Sequence, residues 1–216
     1  GKEGKYVLKE TATSTKIELF DVAGKQVVNA TAEQMAQIAK GTLPPNSIFR
    51  LGTSDTAKIC RTEAAGIVYR INDELVPNIT YKLGTVVYQT DDYGRIVKVT
   101  FDELTLKDAD RPRKVIQNTL SEIGRGYEKV NDDRGHIIAD RFNGNNSLAN
   151  IVSMDSDLNR GEYKAMEDIW AESIKLGKNV SGTIELKYSG KSYRPDVLDV
   201  WYDIGEGSIE KVFSNL

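Results

Sequence analysis

Histidine and cysteine are the scarcest reactive residues in this 216-residue chain, which has one of each. The lone Cys60 excludes an intrachain disulfide and any cysteine metal cluster. Its expected place is that of a small residue packed beneath a strand. No apolar run approaches the roughly 18 residues of a membrane span. The opening Gly1-Lys2-Glu3-Gly4-Lys5 has no apolar segment of the kind a signal peptide needs, and it reads as the start of an excised fragment. A basic surplus is also missing. The net charge of -3 counts against a nucleic-acid scaffold. It does not count against an enzyme on nucleic acid, which must release its product and needs only a local cationic groove. Repeats and low-complexity tracts are absent.

What is present is an alternation of strand and helix signals. Ile17-Glu18-Leu19-Phe20-Asp21-Val22 and Gln26-Val27-Val28 flank Ala23-Gly24-Lys25 as a hairpin. Thr31 opens a helix with Gln34 completing a capping box, Met35, Ile38 and Ala39 as its stripe, and Gly41 as its stop. Pro44-Pro45 breaks the chain there. Residues 1–60 read as an accessory layer and 61–216 as the main domain, with the boundary left open. Thr85 to Thr90 and Arg95 to Val99 form a second hairpin through Asp91-Asp92-Tyr93-Gly94. A short helix is expected over Pro112 to Ile123. A long one is expected over Asn159 to Leu176, on the spacing of Tyr163, Met166, Ile169, Trp170 and Ile174. Gly182 to Tyr188, Val197 to Ile204 and Ile209 to Phe213 read as strands.

The single histidine lies in Asp132-Asp133-Arg134-Gly135-His136, ahead of a stretch dense in asparagine. Hydrolysis of a phosphodiester needs a base to take a proton from water, positive charge on the phosphoryl oxygens, and help for the departing oxygen. A neutral imidazole, an arginine and a metal ion supply these. Magnesium keeps most of its water shell, so one carboxamide oxygen can hold it. The segment from Arg134 to Glu167 contains each residue type.

Asp133-Arg134-Gly135-His136 resembles the Asp-Arg-Gly-His signature of the DNA/RNA non-specific endonucleases, the ββα-metal (His-Me finger) nucleases. The likeness continues through Ile137-Ile138-Ala139-Asp140-Arg141-Phe142, Asn150-Ile151-Val152-Ser153-Met154 and Leu158-Asn159-Arg160-Gly161-Glu162-Tyr163, and includes Arg194-Pro195. It covers about residues 80 to 213. In detail it is similar to the branch found at the C-terminal end of secreted bacterial polymorphic toxins, including type VII-exported nuclease toxins.

The resemblance implies an α+β fold with a central antiparallel sheet and a ββα-metal core. It also implies a set of roles. His136 matches the general base, Asn159 the ligand of magnesium (Mg2+), with manganese (Mn2+) as the alternative ion. Asn150 matches an asparagine that supports the site or contacts phosphate. Glu167 matches the glutamate that holds metal-bound water. On one continuous helix, eight residues advance about 12 Å, so Asn159 and Glu167 could share a side without touching. Arg134 matches the signature arginine. For a second phosphate-binding arginine the candidates are Arg95 first, then Arg111 and Arg113. Asn143, Asn145 and Asn146 read as turn formers. Asp132, Asp133 and Asp140 read as solvated, and Trp170 and Trp201 as core.

The implied activity is metal-dependent cleavage of DNA, with RNA as a further substrate, leaving 5′-phosphate ends. The implied setting is a secreted antibacterial toxin held by an immunity protein and acting in a target cell. Two alternatives stay open: a free extracellular nuclease for nutrition or DNA uptake, and a binding module that keeps the fold without catalysis.

Overall fold

A computed structural model describes residues 4–11, 14–20, 26–30, 47–51 and 58–216, with side chains from Cys60 onward. The helix expected from Thr31 lies outside the described residues. The chain divides into two compact units, Gly1–Lys82 and Leu83–Leu216. Among the described residues no helix is long and apolar enough to cross a membrane.

The first unit carries β1 (Gly4–Thr11), β2 (Ser14–Phe20), β3 (Gln26–Ala30), β4 (Ser47–Leu51), β5 (Lys58–Thr62), β6 (Val68–Ile71) and β7 (Glu74–Leu75). They form one sheet in the order β3-β2-β1-β4-β5-β6-β7. β1 and β4 are parallel and the other pairs antiparallel, including the expected β2–β3 hairpin. Cys60 is fully buried on β5. Residue 60, where the sequence pattern suggests a break, thus lies inside a strand. Glu63 is buried too, and its carboxylate accepts the backbone N–H groups of Ala65, Ile67 and Lys82.

The second sheet starts at β8 (Thr80–Leu83), where the division falls, and continues with β9 (Val86–Thr90) and β10 (Ile96–Phe101). Its further strands come later in the chain: β13 (Ser181–Lys187), β14 (Val197–Asp203) and β15 (Ser208–Ser214), in the order β15-β14-β13-β10-β9-β8. Every pairing from β9 to β15 is antiparallel. Leu198, Val200 and Tyr202 of β14 and Ile184 and Leu186 of β13 point to the core, as period-two alternation requires. The edge strand β15 exposes Glu210 and Lys211, charges that discourage edge-to-edge pairing.

Between β10 and β13 the chain builds a second layer. It holds α1 (Leu120–Gly124), the hairpin of β11 (Asp132–His136) and β12 (Ile151–Asp155), α2 (Ser156–Arg160) and α3 (Glu162–Lys175). Helix α3 buries Tyr163, Met166 and Trp170 of the expected stripe, whereas Ile169 is exposed. Trp170 lies 5.5 Å from Phe101 and 5.4 Å from Tyr202, and Tyr163 lies 5.3 Å from Phe213, centroid to centroid. Burying a side chain such as Met166 contributes about 1.5–3 kcal/mol. Packing of this kind, rather than helix propensity, holds a helix of fourteen residues.

Two helix boundaries differ from the sequence reading. Residues 112–119 are irregular, and α1 starts only after Thr119, whose side chain and that of Glu122 form a capping box. The long helix is also two helices. Gly161, with φ -102° and ψ -105°, separates α2 from α3, so Asn159 and Glu167 do not share one axis. A Cβ at Gly161 would meet the Asp157 carbonyl oxygen at 2.5 Å, which explains the glycine.

The hairpin is tied to the end of the sheet by a buried ion pair. Arg194 donates to both oxygens of Asp132, at 2.7 and 2.9 Å, and to the Asn215 carbonyl. Asn215 accepts from the Asp155 N–H and donates to the carbonyls of Ser153 and Pro195. Asp132 is therefore a structural anchor and not the solvated acid its loop position suggests.

Candidate active site

Strand β11 brings Arg134 and His136 to one face, two residues apart. The loop from β11 to β12 folds back under them. Asn150 fastens it: its Oδ1 accepts from the Tyr88 hydroxyl and the Ile138 N–H, and its Nδ2 donates to the carbonyls of Ile138 and Asn145. Asn150 is fully buried, and these four bonds leave it no atom for a phosphate. Of the two roles implied for it, its geometry suits only support of the loop. Tyr88 sits in the same fully buried place, and burial raises its pKa, so it remains a neutral donor.

The hairpin, the loop and the two helices enclose an open cleft of about 790 Å3. His136, Arg134, Asn159 and Glu167 all line it, with Lys107, Arg113, Arg141, Arg160 and Lys164. Six cationic side chains against three carboxylates (Asp133, Asp140, Glu167) make a locally positive groove in a chain of net charge -3.

His136 Nε2 lies 2.8 Å from Asn146 Oδ1. Its Nδ1 makes no hydrogen bond among the described residues. Burial lowers its pKa below the ordinary 6.5, and Arg113 adds to this, while Asn146 and Asp140 oppose it. The imidazole is therefore neutral at physiological pH.

Asn159 donates from Nδ2 to Asp133 Oδ2 at 2.9 Å. Its Oδ1 accepts nothing among the described residues and is left for the cleft. Asp133 is itself held by Arg160 through both oxygens, at 2.6 and 2.8 Å, and those bonds first of all lower its pKa. With both oxygens engaged, Asp133 orients Asn159 and is not a free ligand.

Glu167 is 9% exposed, and burial raises its pKa from 4.5 to about 7. Arg141 opposes the shift from 3.7 Å, but its short contact, at 2.6 Å, is to Asp168, whose own charge pushes Glu167 further up.

The donor set can be tested against the metals. Among the described residues there is no cluster of three histidines, cysteines or carboxylates. A tetrahedral zinc site or a calcium cage needs more protein ligands than this. One oriented carboxamide oxygen, with a buried carboxyl facing the same cleft, fits a hard cation that keeps its waters.

Residues 77–206 match the family of DNA/RNA non-specific endonucleases. The chain belongs to this family. It is thereby a nuclease, of a metal-dependent kind. Over 149 residues it is 37% identical to the type VII secretion system protein EssD of Staphylococcus aureus strain USA300. The same holds for EssD of strains NCTC 8325 / PS 47 and Newman. Those alignments cover 65% of this chain and 24% of each relative, so the chain spans about a quarter of the length of the curated relatives it matches.

Within the nuclease, the candidates for a second arginine separate by place. Arg95 is not in the cleft. Its guanidinium bonds Asp91 and the carbonyls of Gly190 and Ser192, and lies over the rings of Tyr93 and Tyr188. It braces the β9–β10 turn, which corrects its first rank. Arg111 also lies outside the cleft lining and donates to the Asp140 carbonyl. Arg113 is exposed, lines the cleft and makes no ion pair among the described residues. Arg134 is exposed as well, and donates from one nitrogen to the Asn118 carbonyl.

Asn146 is the residue that sequence reasoning missed. Asn143 does serve a turn, with φ 63°, and Asn145 caps its own loop through Ser147. Asn146 is buried and meets His136 instead. A short run of asparagines gives no local sign of which one faces inward.

Proposed function

We propose that this domain is a magnesium-dependent endonuclease without sequence preference, cutting DNA and also RNA to leave 5′-phosphate ends. Manganese is the alternative ion. The observation that carries the reading is one cleft holding a neutral imidazole with an open Nδ1, an oriented carboxamide oxygen on Asn159, and a cationic wall.

In the proposed reaction, His136 Nδ1 takes a proton from the attacking water, whose oxygen bonds to phosphorus as the P–O3′ bond breaks. Arg134 and Arg113 offset charge on the phosphoryl oxygens. Asn159 Oδ1 would hold the metal, and Glu167, on the same cleft, would accept from water around it. A cation held there would supply Lewis-acid help to the departing 3′ oxygen, which takes its proton from solvent in the open cleft. Asn150 keeps the loop in place.

The wider role proposed is the toxin module of a secreted bacterial protein, restrained by an immunity protein in the producer and active in a target cell. Similarity to part of a much longer type VII secretion system protein favours this over a free extracellular nuclease. The residues ahead of about position 60 are proposed as an accessory layer to the domain that follows. Growth arrest on cytoplasmic expression, relieved by a neighbouring gene, tests the role.

The activity is tested on plasmid DNA, single-stranded DNA and RNA with magnesium. His136→Ala is expected to lose cleavage by about 10²–10⁴-fold while keeping the wild-type fold. A folded His136→Ala protein that cuts at the wild-type rate refutes the assignment.

A further inference from the structure

We infer that Asp140 is a positioning residue for His136, acting through the side-chain amide of Asn146 to dictate which imidazole nitrogen carries the proton. The catalytic consequence rests on the reading of His136 as base; the tautomer itself does not.

An asparagine amide has two ends of similar size and opposite hydrogen-bonding sense. Its neighbours decide which end faces which way. Asn146 stands between His136 Nε2, 2.8 Å from its Oδ1, and Asp140 Oδ1, 3.1 Å from its Nδ2. A carboxylate only accepts, so the NH2 end must face Asp140. The Gly144 carbonyl, 3.4 Å from Nδ2, supports the same orientation. The amide oxygen is then left for the imidazole and needs a hydrogen from it. The neutral ring therefore carries its proton on Nε2, and Nδ1 keeps the lone pair. With the amide turned over, its oxygen would face a carboxylate and its NH2 would face Nε2, drawing the ring proton to Nδ1 and removing the base.

The lock depends on Asp140 staying ionised and still. Lys107 Nζ binds its other oxygen at 2.5 Å, and Arg111 donates to its backbone carbonyl at 3.1 Å. Burial works against the charge of Asp140, but the bonds from Lys107 and Asn146 outweigh it, and its pKa lies below the ordinary range. Asp140 and Asn146 are both buried, so water does not easily substitute for either. The ion pair on one side is thus converted, through one amide, into a choice of tautomer on the other.

The chain has a single histidine, so its imidazole can be read directly by nitrogen NMR with no assignment problem. At pH 8, where the ring is neutral, the wild type is expected to show a protonated Nε2 and a bare Nδ1. Asp140→Ala is expected to give a mixture of tautomers and a fall in kcat, bounded by the ~10²–10⁴-fold that a general base contributes, with KM nearly unchanged. Asp140→Asn turns its amide oxygen to Lys107, which only donates, and so presents an NH2 rather than an acceptor to Asn146; it is expected to mix the tautomers as Asp140→Ala does. Should Asp140→Ala not fold, Asn146→Ala and the wild-type spectrum carry the test: the former is expected to mix tautomers. A wild-type ring protonated on Nδ1 overturns the proposal. So does a folded Asp140→Ala protein whose ring pattern is unchanged, whatever its activity. Failure of the nuclease reading shows separately, as a His136→Ala protein with wild-type cleavage.

Discussion

Replacing Glu167 with glutamine should make the metal-free nuclease more stable at neutral pH and above, even as it impairs catalysis. The side chain is 9% exposed, and burial holds its pKa at about 7 where 4.5 is ordinary. Below pH 4.5 the carboxyl is protonated in both folded and unfolded chains and contributes nothing. As pH rises from 4.5 to 7, the unfolded chain ionises while the folded one keeps its proton, so folding loses free energy. Above 7 the penalty is constant. A difference of this size between the two states amounts to about 3 kcal/mol. Glutamine matches the shape and never ionises. Its advantage should therefore be near zero at pH 4.5 and reach about 3 kcal/mol at pH 8. Urea unfolding followed by tryptophan fluorescence is the assay, because Trp170 and Trp201, the only tryptophans, both lie in the unit Leu83–Leu216. With a slope of about 1–3 kcal/mol per molar urea, the midpoint at pH 8 should rise by about 1–3 M. A gain that is the same at both pH values, or no gain at pH 8, would mean that the folded protein accommodates the charge, and the burial argument would fail.

Arg113→Ala should lower kcat/KM by about tenfold and flatten its salt dependence, with an unchanged urea midpoint, as removal of one exposed phosphate contact does. Arg95→Ala should do the reverse. It removes three hydrogen bonds and two ring contacts, so a loss of about 2–3 kcal/mol in stability is expected, with kcat/KM per folded molecule unchanged. Gly144→Ala places a Cβ 1.8 Å from the Ile138 carbonyl oxygen, and backbone cannot yield as a side chain would. The loop carrying Asn146 must shift, so a stability loss of at least ~2 kcal/mol and loss of cleavage are expected, read by urea unfolding and plasmid nicking.

The readable parts of the fold were those where local pattern and tertiary packing agree. The β9–β10 hairpin follows from alternation on either side of Asp91 to Gly94, and α3 from a stripe of which Tyr163, Met166 and Trp170 are buried while Ile169 is exposed. The break at Gly161 was hidden because periodicity records side chains, whereas this glycine answers to a carbonyl. In the site, the signature placed His136, Arg134, Asn159 and Glu167 in one cleft. The second arginine was not legible, since no motif surrounds it, and Asp91 four residues before Arg95 was the one hint that Arg95 serves a turn. Asp132, Asp133 and Asp140 look alike in sequence, yet each is bound by a different cation: Arg194, Arg160 and Lys107. Partners that lie 27 to 62 residues away leave no local trace.

The clamp of Arg194 and Asn215 on the β11–β12 hairpin bears on the order of assembly during synthesis. Every residue proposed to meet the substrate has left the ribosome's decoding centre by Glu167, yet Asp132 waits 62 residues for Arg194, and Asp155 waits 60 for Asn215. Contacts so distant in sequence form late. Until they do, Asp132 lacks its counter-ion, and a buried carboxylate without one opposes closure of the hairpin. A growing chain can thus hold every residue proposed for the chemistry before the hairpin that positions two of them is locked in place.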